Sequence, residues 1–147
     1  MKKITFLFSL FLSLSFTTFA QKKEAIVGIW LSEKKDGKIE VYKTGDKYFG
    51  KLVWIKDPLN KEGKPKLDVN NPEITNKTKT ILGSTILKNL SFTEDNTWED
   101  GTIYDPNNGK TYSCKVTLVD NGQKLNLRGF IGFSLIGRTS SWTKSSL

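Results

Sequence analysis

The chain contains no histidine. That absence removes the Ser-His-Asp and Cys-His relays, zinc centres with imidazole ligands, and a histidine pH switch. An enzyme built on this chain would have to work with carboxylates, lysine, tyrosine or serine alone. Cysteine is nearly absent too. Cys114 stands alone, so no intrachain disulfide is possible and an exported fold must rest on its core. Arginine is scarce: Arg128 and Arg138 stand against 21 lysines. A 3.6-residue apolar period with caps at both ends is missing throughout, so helices are not expected to build the core.

What is present begins at the amino terminus. Met1-Lys2-Lys3 precedes an apolar run from Ile4 to Phe16, then Thr17-Thr18-Phe19-Ala20. This is the pattern of a cleavable secretory signal. The run is shorter than the roughly 20 residues a membrane span needs, and Ser9, Ser13 and Ser15 interrupt it. No cysteine marks the cleavage point, so a lipid anchor is not expected. The reading is a signal at 1–20 and one domain at 21–147, periplasmic or secreted, with no transmembrane segment in the mature chain. The formal charge is +8, and Lys2 and Lys3 leave with the signal. The remaining lysines are scattered and interleaved with acids, their longest runs being pairs such as Lys34-Lys35. That describes a solvated surface rather than a nucleic-acid stripe, so no nucleic-acid partner is expected.

Beyond the signal, apolar residues alternate at period two. Ile39 and Val41 alternate with Lys38 and Glu40; Cys114, Val116 and Leu118 alternate with Lys115 and Thr117; Leu125 and Leu127 with Asn126 and Arg128. Hairpin turn signals separate the runs at Lys35-Asp36-Gly37, Gly45-Asp46, Asp105 to Gly109 and Asp120-Asn121-Gly122. Strands are predicted at 26–33, 38–44, 47–56, 80–88, 90–94, 97–104, 110–119 and 123–144, the last split near Gly132. Short turns make sequence neighbours spatial neighbours, and closure removes exposed edges. The predicted fold is all-β, an antiparallel up-and-down barrel of about eight strands with the last meeting the first. A two-sheet sandwich is the second choice.

Residues 57–80 break the pattern. They hold Pro58, Pro65 and Pro72 and little apolar content. A loop this long is either functional or disordered, so it reads as a lid over the barrel mouth or as a floppy insertion. Oxygens at Asp57, Asn60 and Glu62, or Asp68 and Asn70, lack EF-hand spacing, and no metal is expected. Glu99-Asp100, being adjacent on a strand, point to opposite faces and do not form an acid/base pair. Gly132 to Gly137 is one residue too long for a nucleophile elbow. Asp105 reads as the cap of its turn. Gly28-Ile29-Trp30 opens the first strand, where Trp30 can plug a narrow barrel end. A retained arginine suits stacking on an indole, so Arg138 is expected to cover Trp30 and latch the barrel.

Several of these pieces occur together in a known family. Gly28-Ile29-Trp30, Gly50-Lys51-Leu52-Val53-Trp54, Asp68 with Asn71-Pro72, Leu82-Gly83, Gly101 to Tyr112, Leu127 to Gly132, and Leu135 to Arg138 with Trp142 carry the likeness. The chain resembles the bacterial domain of unknown function 2147, small exported proteins with a lipocalin-like barrel, over about residues 26–144. Where that family often ends in Trp-Thr-Arg, this chain has Trp142-Thr143-Lys144. The resemblance implies a lipocalin/calycin-like fold and export. It implies no catalytic residues and no cofactor.

An eight-stranded barrel is just wide enough for its own side chains or one small ligand. The leading expectation is therefore a non-catalytic binder of a small apolar or amphiphilic ligand in the cell envelope, with Trp54, Trp98, Tyr104 and Arg128 lining the site. The alternative is an envelope interaction or structural module that uses its outer face or the 57–80 loop. A histidine-free hydrolase is the remote third.

Overall fold

The computed structural model describes residues 22–133 and 135–147; the signal expected at 1–20 lies outside them. Eight strands follow one another: β1 (Gly28–Leu31), β2 (Gly37–Thr44), β3 (Lys47–Ile55), β4 (Thr85–Phe92), β5 (Thr97–Asp105), β6 (Lys110–Val119), β7 (Lys124–Phe130) and β8 (Gly137–Ser145). Each pairs antiparallel with the next, and the sheet closes into a barrel. The closing seam pairs Ile29 with Ser145, Trp30 with Lys144 and Leu31 with Thr143.

Alternation places the core inside the cylinder. Gly37, Ile39 and Val41 of β2, Cys114, Val116 and Leu118 of β6, and Leu125 and Leu127 of β7 are buried, while their neighbours are not. One expected boundary was wrong. The stretches 80–88 and 90–94 are not two strands; a single β4 runs through Asn89, which takes φ 61° as a kink within the strand. Asp100, at φ 59°, is the corresponding kink in β5, whose register against β6 shifts between Trp98 and Gly101. Gly101 is required at this corner. A Cβ there would lie 2.7 Å from Leu90 Cγ and 2.9 Å from the Lys88 carbonyl oxygen. The bend thus forms where two backbones approach within a side chain's thickness.

The two ends of the barrel differ. At one end the β2–β3, β4–β5 and β6–β7 turns meet the start of β1. A helical turn at 22–24 leads into Ile26, which is fully buried and accepts a 2.8 Å hydrogen bond from Trp30 Nε1. Trp30, Tyr48 and Trp98 fill this end. Trp98 meets Tyr48 and Phe92 edge to face, at centroid distances of 6.1 and 5.2 Å. The opposite end carries the loops 32–36, 56–84, 106–109 and 131–136, and it is open.

Candidate functional site: the open barrel mouth

A cavity of about 880 Å³ enters the barrel from the open end. Its wall is apolar, formed by Leu52, Ile86, Ile103 and Leu127, with Trp142 opposite Leu125 toward the closed end and Tyr112 level with Ile103 nearer the mouth. Trp142 is held by a 2.8 Å hydrogen bond from its Nε1 to Ser140 Oγ. Lys34, Lys56, Lys66 and Arg138 stand at the rim with Glu33 and Asp57. The rim's other two carboxylates are committed to their own loops. Asp36 accepts from Ser32 Oγ at 2.6 Å, and Asp105 Oδ1 accepts from the Asn107 backbone N–H at 2.9 Å.

The 57–80 segment is tied down as one wall of this mouth. Asp68, only 5% exposed, accepts from Tyr104 Oη at 2.7 Å and from Asn71 Nδ2 at 2.7 Å. Asn70 Nδ2 donates to the carbonyls of Pro106 and Asn107, each at 3.0 Å. Gly109 completes the join. It takes φ +71°, and a Cβ there would fall 2.0 Å from the Asn70 carbonyl oxygen, so only glycine admits the docked strap. Burial, and then the hydrogen bond to the Asp68 carboxylate, push the Tyr104 phenol up to about 12, so it stays a donor at neutral pH. The segment is thus neither floppy nor hinged on an unanchored arm. Among the oxygens considered for calcium, Asn60 Oδ1 accepts from the Glu62 and Lys64 backbone N–H groups, and Asp68 is engaged as described. Among the described residues, no group of three or more Asp, Glu, His or Cys could hold a metal.

Of the four residues expected to line the site, Tyr104 lies on the cavity wall and three lie elsewhere. Trp54 shares the inward parity of Leu52, but β3 shifts register between them: Leu52 faces Ile39, whereas Trp54 faces Lys38. The extra residue turns Trp54 outward, 38% exposed beneath Lys38 Nζ, and brings Ile55 to the cavity instead. Trp98 is inside but fully buried in the closed end. Arg128 alternates with Leu127 and so faces outward, donating to Thr139 Oγ1 at 3.2 Å and the Leu135 carbonyl at 3.3 Å. The expected latch is also corrected. Arg138 pairs with Gly129 at the open rim, and the cation over Trp30 is Lys144, its Nζ 5.7 Å from the ring. Register decides this: Trp30 opposes Lys144, six residues further along β8. Gly28 opens β1 opposite Val41 at φ +136°.

Arg138 and Asp68 were not expected as parts of the mouth. Trp142, which as a large strand aromatic suits either the core or a pocket wall, lines the cavity. Cys114 is shielded inside the barrel wall, and burial pushes its thiol up to about 12, so it is not a reactive nucleophile. No helix among the described residues is long and apolar enough to cross a membrane.

Comparison with known proteins agrees with this architecture. The family model described as "Uncharacterized protein conserved in bacteria (DUF2147)" matches residues 28–144. No curated protein matches the chain. Among solved structures, protein HP1028 from the human pathogen Helicobacter pylori, described as belonging to the lipocalin family, is similar with a TM-score of 0.72 at 21% identity. The match covers 82% of this chain and 83% of that one. The barrel is therefore lipocalin-like in fold.

Proposed function

The chain belongs to the DUF2147 family, and we propose that it is a non-catalytic binding protein whose barrel takes one small apolar or amphiphilic molecule in the cell envelope. The cavity carries this reading: about 880 Å³ with an apolar floor and a mixed polar rim. That is the size and character of a small-molecule site. The aromatic plug closes one end, so a guest enters through the other. The proposal includes export, supported by the basic, apolar and small-residue pattern at 1–20.

Titration with a panel of fatty acids and other single-chain amphiphiles tests the reading. Trp142 on the cavity wall makes tryptophan emission the readout. At least one panel member should bind saturably, one per barrel. In Trp142→Phe the emission change should disappear while calorimetry still records binding. Ile103→Trp, which adds bulk to the cavity wall, should abolish binding with the barrel still folded. If no member binds the wild-type barrel saturably, the reading fails.

A further inference from the structure

Three residues on one side of β8 run from the mouth into the barrel. Side chains alternate along a strand, and Arg138, Ser140 and Trp142 share the face that meets Gly129, buried Leu127 and buried Leu125 of β7. All three line the cavity, Arg138 at the mouth and Trp142 toward the closed end. Gly129 gives Arg138 its room. A Cβ at Gly129 would lie 3.7 Å from Tyr112 Cβ and 3.5 Å from Ile103 Cγ2. Tyr112 of β6 therefore flanks Gly129 on one side and Arg138 on the other, with a notch between them that opens onto the apolar wall.

The polar groups at this notch keep unspent donors. Arg138 makes no hydrogen bond or ion pair with any described residue. Tyr112 Oη accepts from Asn108 Nδ2 at 3.0 Å, so its own proton remains to be given. Ser140 Oγ accepts from Trp142 Nε1 and likewise keeps its proton. The other polar strand residues on the wall are engaged: Tyr104 donates to Asp68, and Asp105 Oδ1 accepts from the backbone and side-chain amides of Asn107.

Net charge does not choose the guest, because the rim carboxylates balance the rim cations. Hydrogen-bond sense does. A guanidinium beside two hydroxyl protons calls for an occupant that accepts, and its planar fork matches both oxygens of one carboxylate. An ammonium head accepts nothing, and a hydroxyl head meets one arm of the fork. Arginine is scarce in this chain, and the other one, Arg128, braces the β7–β8 hairpin.

We propose that Arg138, with Tyr112, binds the carboxylate head of a single-chain amphiphile whose tail runs past Ile103 and Leu127 toward Trp142. This rests on the ligand-binding reading and adds the chemical class of the guest, an aliphatic monocarboxylate. No bond is made or broken. The charged head stays at the wet end of the cavity, where its desolvation costs least, and the tail takes the apolar part.

Calorimetric titration with dodecanoate, dodecanol and dodecylamine, which share one tail and differ in the head, tests it. Dodecanoate should bind the wild-type barrel at least about tenfold more tightly than the other two. Arg138→Met keeps the reach of the side chain and removes its donors. In that variant dodecanoate should fall to the affinity of dodecanol, while dodecanol binds as in wild type and the melting point holds, because Arg138 is exposed and unbonded. Tyr112→Phe, which removes one donor of several, should weaken dodecanoate by about threefold. An undiminished dodecanoate preference in Arg138→Met, equal binding of the three heads, or a preference for dodecylamine would overturn the proposal and leave the cavity reading in place, since the tail still binds. Binding of none of the three, nor of any other amphiphile in the panel, would sink the cavity reading and this one with it.

Discussion

The closed and open ends of this barrel use the same strands and opposite packing. At the closed end, Trp30, Tyr48 and Trp98 consume the interior. Toward the open end, Leu52, Ile86, Ile103 and Leu127 line the wall of a cavity that their side chains leave unfilled. A cylinder of fixed strand number has a fixed bore, so side-chain volume at each level decides whether that level is core or cavity. Stability and binding are thereby assigned to different ends of one sheet.

Substitutions can break that division, and the largest effect belongs to the plug. Trp98→Ala removes a fully buried indole and should cost about 3–5 kcal/mol, measured by urea unfolding. A comparable loss from Trp142→Ala on the cavity wall would refute the division. Next comes the corner between the ends. Gly101→Ala drives a Cβ into Leu90 and the Lys88 carbonyl and should cost about 1–3 kcal/mol. The strap at the mouth should matter less in ordinary buffer. Tyr104→Phe leaves the buried Asp68 carboxylate short of one donor, for a loss of about 1–3 kcal/mol near pH 7.

That loss should depend on pH in one direction. Folded Tyr104 keeps its proton up to about 12, whereas a free tyrosine releases it near pH 10. Between those values the unfolded chain binds fewer protons than the folded one, so stability falls as pH rises. The contribution is whole below about pH 10 and gone above about pH 12, and the gap between wild type and Tyr104→Phe should close across that window in chemical-denaturation curves. Cys114, also raised to about 12, adds its own alkaline loss in both proteins. Smallest of all, Leu135→Ser at the exposed tip should shift stability by less than about 0.5 kcal/mol. A larger shift would mean that the hairpin packs as core.

Much of the barrel was legible from period-two patterning and turn chemistry. The strands β2, β3, β5 and β6 fall within a residue of their expected bounds. The merged β4 was not legible, because Asn89 reads as a turn residue yet serves as a kink inside a paired strand. The site was harder to read for the same kind of reason. Trp54 has the parity of Leu52 in sequence, and one bulged residue between them reverses its face. Arg138 and Trp30 both suit a cation–π latch by type, but the β1–β8 register hands the position to Lys144.

Local chemistry by itself determined that this chain forms antiparallel strands, where most turns lie, that Cys114 forms no intrachain bridge, and that histidine chemistry is excluded. Those properties depend on residue type and on spacing within a few positions. Which aromatics plug and which line, that the 57–80 segment is strapped through Asp68, Asn70 and Gly109, and which cation lies over Trp30 were decided only by tertiary structure. Each depends on register between strands far apart in sequence, and a single inserted residue reverses it.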